Sequence, residues 1–467
     1  MTQASITRDA FVDVRRSTLE PDEAVLALGR ALDKAPREGL FRFSLRVNRA
    51  PLTALLRAFE DREAVLFEPP RGPCIAGVGV AAVLRASGQD RFATLVRDAQ
   101  ALFPSITLVG ETDVTSEGPQ LVGGAAFRPG PAAPEWQAFG EACFVLPRLS
   151  YTELNGRAQL HLVADAGADR DELEDSVREA MSALRTPLRP RSAPRALLEE
   201  HLEPGIWAKE LASIQAAIRG GGLAKAVLAR RSLLRFDGAP SDVKVLEALG
   251  ARHPSCTRFA LRLGDSTFLG ATPERLVRRE GSQVRSEALA GTVAPGHAAE
   301  LLASQKEGGE HRLVVSAIEA ALRPLCVELD QDLEPRLRKL ADVLHMETRF
   351  RGRLSGAQHV LELVDALHPT PAVGGTPTDA ALALLSEVEG TSRGFYSGPF
   401  GAFDAAGDGT FVVALRSGLL QGDRAYVYAG AGIVEGSQAA AEYAETELKM
   451  RAVLAALAAD AGEGGRA

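Results

Sequence analysis

Four glutamates stand in two pairs of the same spacing. Glu307 and Glu310 lead into an apolar run, and Glu442 and Glu445 follow a glycine turn in "YAGAGIVEGSQAAAEYAETELK", residues 428–449. On a helix, residues three apart share a face. The chain carries 61 acidic residues, so such a pair also arises by chance. Glu445 with Lys449 reads equally as a surface pair of about 0.2–0.5 kcal/mol. Glu310 differs because it is in line with Val314, Ile318 and Leu322, a stripe that turns its carboxylate inward. Buried carboxylates sharing a site call for a cation. Hard oxygen donors suit Mg²⁺, which accepts few carboxylates and retains waters.

The glycines Gly430, Gly432 and Gly436 lie between a strand-like and a helix-like run, the order of a phosphate-binding loop. The spacing is GxGxxxG rather than GxGxxG, and the motif is about 35 residues from the end of the sequence. A dinucleotide fold needs more strands than that leaves. Two readings stay open: simple turn glycines, or bare backbone N–H groups cradling a carboxylate.

The elements that must position these residues are mixed α and β. "KAVLARRSLLRF" (225–236) is a strand, and "STFLGATPERLVRREGSQVRSEALAGT" reads as three strands joined by turns. "WAKELASIQAAIRGG" is a helix closed by glycines. A helix runs at least from Glu310, another starts with Thr376 as N-cap and Pro377 at its first position, and a last one runs from an N-cap at Ser437 to about residue 458. "GTFVVALRSGLLQGDRAYVYAGAG" is a hairpin. Nothing before residue 200 offers a chemical constellation. "EAVLFEPP" and "CIAGVGVAAVL" read as paired strands, and the basic, Pro-rich "RTPLRPRSAPR" (185–195) as a linker.

The chain has 467 residues, 46% hydrophobic and 24% charged, enough for a sizeable core. A net charge of −8 argues against nucleic acid and anionic membranes. The four cysteines are far apart and form no CxxC, which excludes a zinc cluster and points to a reduced compartment. With no signal pattern and no apolar run of about 20 residues, the expectation is a soluble cytoplasmic protein.

The stretches "KAVLAR", "GATPERLV", "ALAGT", "KEGGEHRLVV", "HPTPAVGGTP", "RGFYSGPFGAFD", "ALRSGLL" and "AGAGIVEGS…AEYAETELK" together resemble the chorismate-utilising enzymes, over roughly residues 205–455. That family includes isochorismate, salicylate, anthranilate and aminodeoxychorismate synthases. The segment between "AGT" and "EGGEH" is shorter than is usual there. The resemblance implies an α/β (α+β) fold: one large domain of two stacked, mainly antiparallel sheets flanked by helices. Residues 1–195 would contribute to that sandwich, and residues 196–460 would form the chorismate-binding catalytic region.

The resemblance also assigns roles. Lys225 matches the general base of the water-using members, where anthranilate synthases usually carry glutamine. It would be neutral through burial or nearby positive charge. Glu274 of "GATPER" matches the general acid; on its own it reads as an ion-pair partner of Arg275 or Arg278. Ala372 of "HPTPAVGG" matches isochorismate synthases rather than anthranilate or salicylate synthases, which tend to have threonine. Mg²⁺ would be held by Glu310 and Glu445, with Glu307 and Glu442 in support. The amides of Gly430 and Gly432, with Gly291 and Thr292, would complete the cradle. Arg416 and Tyr396 would take the enolpyruvyl carboxylate. His345 and Lys449 would line the same pocket, although His345 reads alternatively as a core histidine.

The expected activity is a Mg²⁺-dependent isochorismate synthase, with salicylate synthase as the alternative and an amine-forming synthase behind it. The expected substrate is chorismate, and a monomer without a glutaminase subunit is expected. Whether the product feeds a quinone such as menaquinone, a siderophore or salicylate stays open.

Overall fold

The computed structural model describes residues 19–110, 118–185, 194–293, 296–339 and 344–460. Most of the 185–195 linker expectation falls outside them. Among the described residues 21 strands join into one hydrogen-bonded network. Its pairings are antiparallel except that of Leu40–Val47 with Ile106–Val109.

Alternation along the strands explains the layers, since successive side chains point to opposite faces. Phe259, Leu261 and Phe268 meet Phe400, Val412 and Leu419 in an aromatic-rich middle layer. Their neighbours Ala260 and Leu269 turn the other way, onto the helices Asp242–Arg252 and Ala439–Asp460. On the far side Phe403, Phe411 and Val413 pack with Val314, Ile318 and Leu322 of the helix Gln305–Leu322. The order is helix, sheet, aromatic core, sheet, helix, as face-to-face sheet packing requires. The long strand Ala142–Leu154 serves both sheets: Phe144 and Leu146 face one helical layer, Leu149 and Tyr151 the other.

The two halves of the chain share these sheets. Ala64–Glu68 pairs with Thr257–Leu263, and Gln120–Ala125 with Pro399–Asp404.

Two helix starts differ from expectation, and a third helix extends further than the sequence assigns. The helix expected at least from Glu310 is present and extends back to Gln305, because Ser304 Oγ accepts from the Glu307 N–H at 3.2 Å and caps it ahead of Gly308–Gly309. Thr376 is not an N-cap: Gly375–Thr376 pairs with Ala226–Lys225, so the backbone is extended there and the helix runs Thr378–Val388. Ser437 Oγ accepts from Val434 N–H at 3.1 Å, closing the turn two residues before the helix starts at Ala439.

Candidate active site

The cavity is walled on one side by the strand Arg424–Ile433, whose Tyr428, Gly430 and Gly432 share a face at two-residue spacing. Gly430 lies opposite Ala229 and Gly432 opposite Val227 of the strand Lys225–Phe236. The Ala229 N–H goes instead to Glu389 Oε1 and the Val227 N–H to the Gly374 carbonyl. These are therefore non-hydrogen-bonded pairs, and the two glycine amides turn away from the partner strand. A Cβ on Gly432 would lie 2.9 Å from both Glu310 Oε1 and Lys225 Cε. Closeness, not turn geometry, makes this position a glycine.

Two helices bring the four glutamates to this wall. Glu307 and Glu310 come from the first turns of Gln305–Leu322, and Glu442 and Glu445 from the start of Ala439–Asp460. Lys449 Nζ, one turn further, bridges Glu445 Oε1 at 2.7 Å and the Gly430 carbonyl at 2.8 Å. Lys225 is wholly buried one layer behind the wall, and its Nζ donates to Glu310 Oε1 at 2.6 Å. Of the burial or nearby positive charge expected for this lysine, the burial is present, and its direct partner is a carboxylate.

The opposite wall carries Gly291 and His345. A register shift between Ala290 and Thr292 places Gly291 at φ +75°, a conformation that favours glycine. Its missing side chain leaves room for Glu307 Oε2, which a Cβ would meet at 3.2 Å. The Gly291 carbonyl accepts from His345 Nδ1 at 3.1 Å. Thr292 pairs with His345 through its backbone, and its side chain is outside the described residues.

Glu274 sits in the turn between the strands Ser266–Thr272 and Arg275–Glu280. Its N–H donates to Thr272 Oγ1 and its carbonyl accepts from Val413 N–H at 3.0 Å, so its position is fixed on both sides. Ala372, Tyr396 and Arg416 complete the lining. Arg416 and the adjacent Ser397 have φ of +48° and +58°. Non-glycine residues in that region are held there by their surroundings, a pattern concentrated at functional sites. Every residue expected at the site lines this one cavity or, for Lys225, backs it, apart from the undescribed Thr292 side chain.

The family described as "Chorismate binding enzyme" matches residues 26–458. The chain belongs to the chorismate-binding enzyme family. It is 37% identical over 458 residues to the "Salicylate biosynthesis isochorismate synthase" of Pseudomonas aeruginosa, covering 94% of each chain. It is 33% identical over 353 residues to "Isochorismate synthase MenF" of Bacillus subtilis, covering 73% of this chain and 75% of that one. The solved structure of MenF, the menaquinone-specific isochorismate synthase from Escherichia coli, superposes with a TM-score of 0.77 at 25% identity, over 93% of this chain and 99% of that one.

Electrostatics divide the groups of this cavity. Burial, reinforced by the Glu287 carboxylate, pushes Glu274 up to about 8 against the pull of Lys225, Lys449 and Arg338. At neutral pH it is a carboxylic acid with a proton to give. Burial and the Arg416 guanidinium push His345 down to about 3. The neutral ring keeps its hydrogen on Nδ1, since the Gly291 carbonyl only accepts, and so presents a lone pair on Nε2. His345 is thereby both a buried histidine and a cavity wall. Burial lifts Tyr396 to about 12, so it stays a phenol.

The donor set suits a hard cation. Glu307 rests against Gly291 and Glu310 against Gly432, both in space a Cβ would fill. Among the described residues no three of His, Cys, Asp and Glu converge as a ready metal cage. Lysine ammonium groups hold Glu310 and Glu445 instead.

Sequence reasoning missed Arg393 and Tyr428. Arg393 is buried, ion-paired with Glu389, and donates Nη1 to the Val373 carbonyl and Nη2 to the Val227 carbonyl. It ties the Ala372–Val373 wall to the Lys225 strand. Its signal was the i,i+4 spacing from Glu389 within "EGTSR". Tyr428 was legible from the same period-two alternation as Gly430 and Gly432.

Proposed function

We propose that this chain is an isochorismate synthase, converting chorismate to isochorismate reversibly with Mg²⁺. The observation that carries this reading is Glu274, a buried carboxyl kept protonated to about 8 in the cavity that Lys225 backs. Water must add at ring C2 while the C4 hydroxyl departs and the double bonds shift. Hydroxide leaves poorly, so Glu274 delivers its proton to the C4 oxygen, which departs as water. The incoming water gives its proton to Lys225, which acts once Glu310 is engaged elsewhere. One water enters and one leaves, so substrate and product are isomers.

Glu310 and Glu445, supported by Glu307 and Glu442, would hold Mg²⁺, which when bound supplies positive charge to a substrate carboxylate. Arg416, Tyr396, Lys449 and the amides of Gly430 and Gly432 bind and orient the two carboxylates. His345, Gly291 and Thr292 shape the ring pocket, and Ala372 leaves no hydroxyl at its edge. In this reading residues 196–460 carry the chemistry and residues 1–195 complete the sheets. The reading includes a cytoplasmic enzyme that works as a monomer, without nucleic acid, membrane or glutaminase partner. Its support is the acidic composition and the four free cysteines. Among the described residues no helix is long and apolar enough to cross a membrane.

The test is incubation with chorismate and Mg²⁺, with products separated by chromatography. Isochorismate in equilibrium with chorismate, approached from either side, is expected. Salicylate and pyruvate as the dominant products, or anthranilate from added ammonium, would overturn the assignment.

A further inference from the structure

Glu287 lies outside the cavity, on the strand Gln283–Val293, yet it is buried and tied to the peptide that follows Glu274. Its Oε1 accepts the Arg275 N–H at 3.1 Å, and its Oε2 accepts Arg275 Nη2 at 2.8 Å. A second guanidinium, Arg338 on the strand Arg336–Lys339, donates Nη1 to Glu287 Oε1 at 2.9 Å and to Glu347 Oε1 at 3.1 Å. Glu347 in turn holds Arg349 at 2.6 Å. The result is an alternating row of charges, Arg275, Glu287, Arg338, Glu347, Arg349, laid behind the turn that carries Glu274. Two guanidinium groups, which stay charged at any working pH, hold the Glu287 side chain.

Resting on the acid role given to Glu274, we propose that Glu287 is its positioning residue: an anion clamped by Arg275 and Arg338 that fixes the peptide after Glu274 and opposes a second negative charge there. Two carboxylates sharing a site resist ionising together. The groups that act on Glu274 come from four elements. Glu287 favours its neutral form, whereas Lys225 from the cavity's rear, Lys449 from the last helix and Arg338 favour its ionised form. Three cations oppose one anion, so burial and Glu287 together must outweigh them. Removing Glu287 leaves the three cations unopposed and Arg275 without its carboxylate partner, while Arg338 keeps only Glu347.

Glu287→Gln keeps the size and an oxygen for the Arg275 N–H but deletes the charge. The expected result is that the alkaline limb of kcat/KM against pH moves down by about one unit, roughly a fivefold loss at pH 8 that approaches tenfold at higher pH and is largely recovered at pH 6. Arg338→Met deletes an opposing cation and should move the same limb upward. Glu287→Asp keeps the charge but shortens the reach to Arg275, so its rate should fall alike at all pH values with the limb in place. Infrared titration of the protonated-carboxyl band that Glu274→Gln abolishes gives the same shifts without turnover. Should Glu287→Gln fail to fold, Arg338→Met alone decides. An unmoved limb in Arg338→Met, or rates lowered equally at every pH in both variants, would overturn the inference. If Glu274→Gln itself retains turnover, the acid reading falls and this inference with it. An inactive Glu274→Gln with unmoved limbs removes this inference alone.

Discussion

Replacing Lys225 with methionine separates the base from the metal site it touches. Lys225 is wholly buried, and its Nζ is 2.6 Å from Glu310 Oε1, whose side chain is 17% exposed. Breaking a fully buried ion pair by removing one partner costs about 3–5 kcal/mol, because the other charge is left uncompensated. Partial exposure of Glu310 lowers that to roughly 2–3 kcal/mol. Unfolding entropy of about 2.1 cal/mol/K per residue over this length gives about 1 kcal/mol/K, so Tm should fall by about 2–3 °C without metal. The same change removes the ammonium that competes for Glu310. Mg²⁺ or Mn²⁺ should then bind at least tenfold more tightly by calorimetric titration, and saturating Mg²⁺ should restore most of the lost Tm. Turnover of chorismate should fall by about 10²–10⁴ through loss of a positioned base. A variant that binds metal no better than the parent would refute the exchange of lysine for cation at Glu310. Near-normal turnover would show that the base is elsewhere.

Three further outcomes follow from the same geometry. Glu310→Gln and Glu445→Gln should each weaken Mg²⁺ binding by more than tenfold in calorimetry while the fold, read by circular dichroism, is unchanged; intact affinity in both would make the glutamate pairs ordinary helix surface. Glu274 titrates near 8 when folded and near the ordinary carboxylate value when unfolded, so it favours the folded state fully below about pH 4.5 and loses that contribution as pH rises to about 8. Glu274→Gln should therefore gain stability relative to the parent at pH 8 compared with pH 5, by an amount of order a few kcal/mol, read as a Tm gain of about 3–4 °C, while losing turnover; a Tm difference independent of pH would refute the raised value. Gly432→Ala puts a methyl 2.9 Å from Glu310 Oε1 and Lys225 Cε, so metal affinity and turnover should both drop, and a fully active variant would show that this close approach is relaxed in the working enzyme.

The site was legible in the sequence to the extent that short patterns encode it. Glu310 was placed by its line with Val314, Ile318 and Leu322, which are indeed buried in one core. Glu442 and Glu445 were placed by helical spacing, and Gly430 and Gly432 by their position between strand and helix. The strand Lys225–Phe236 matches its sequence reading residue for residue. What was not legible is contact between distant segments. No local pattern says that Lys225 meets Glu310 or that the row from Arg275 to Arg349 assembles behind Glu274. Thr376 misled because its local signals favour a cap, whereas pairing with Lys225 keeps it extended. The first 195 residues carry strands without chemistry, and only their partners reveal what they support.

The pairing of Ala64–Glu68 with Thr257–Leu263 has a consequence in time. Glu68 and its partner Arg258 are 190 residues apart in the chain. At a synthesis rate of about 5–20 residues per second, the first strand leaves the ribosome about 10–40 s before its partner does. Hydrophobic collapse and hairpin closure finish in well under a millisecond. Through much of its synthesis, then, the nascent chain carries "AVLF" of this strand, buried in the finished protein, without its Thr257–Leu263 partner. The C-terminal half cannot relieve that exposure early, because it is made last. An abundance of this protein in cells should depend on what shields that edge during translation, before any chorismate is ever bound.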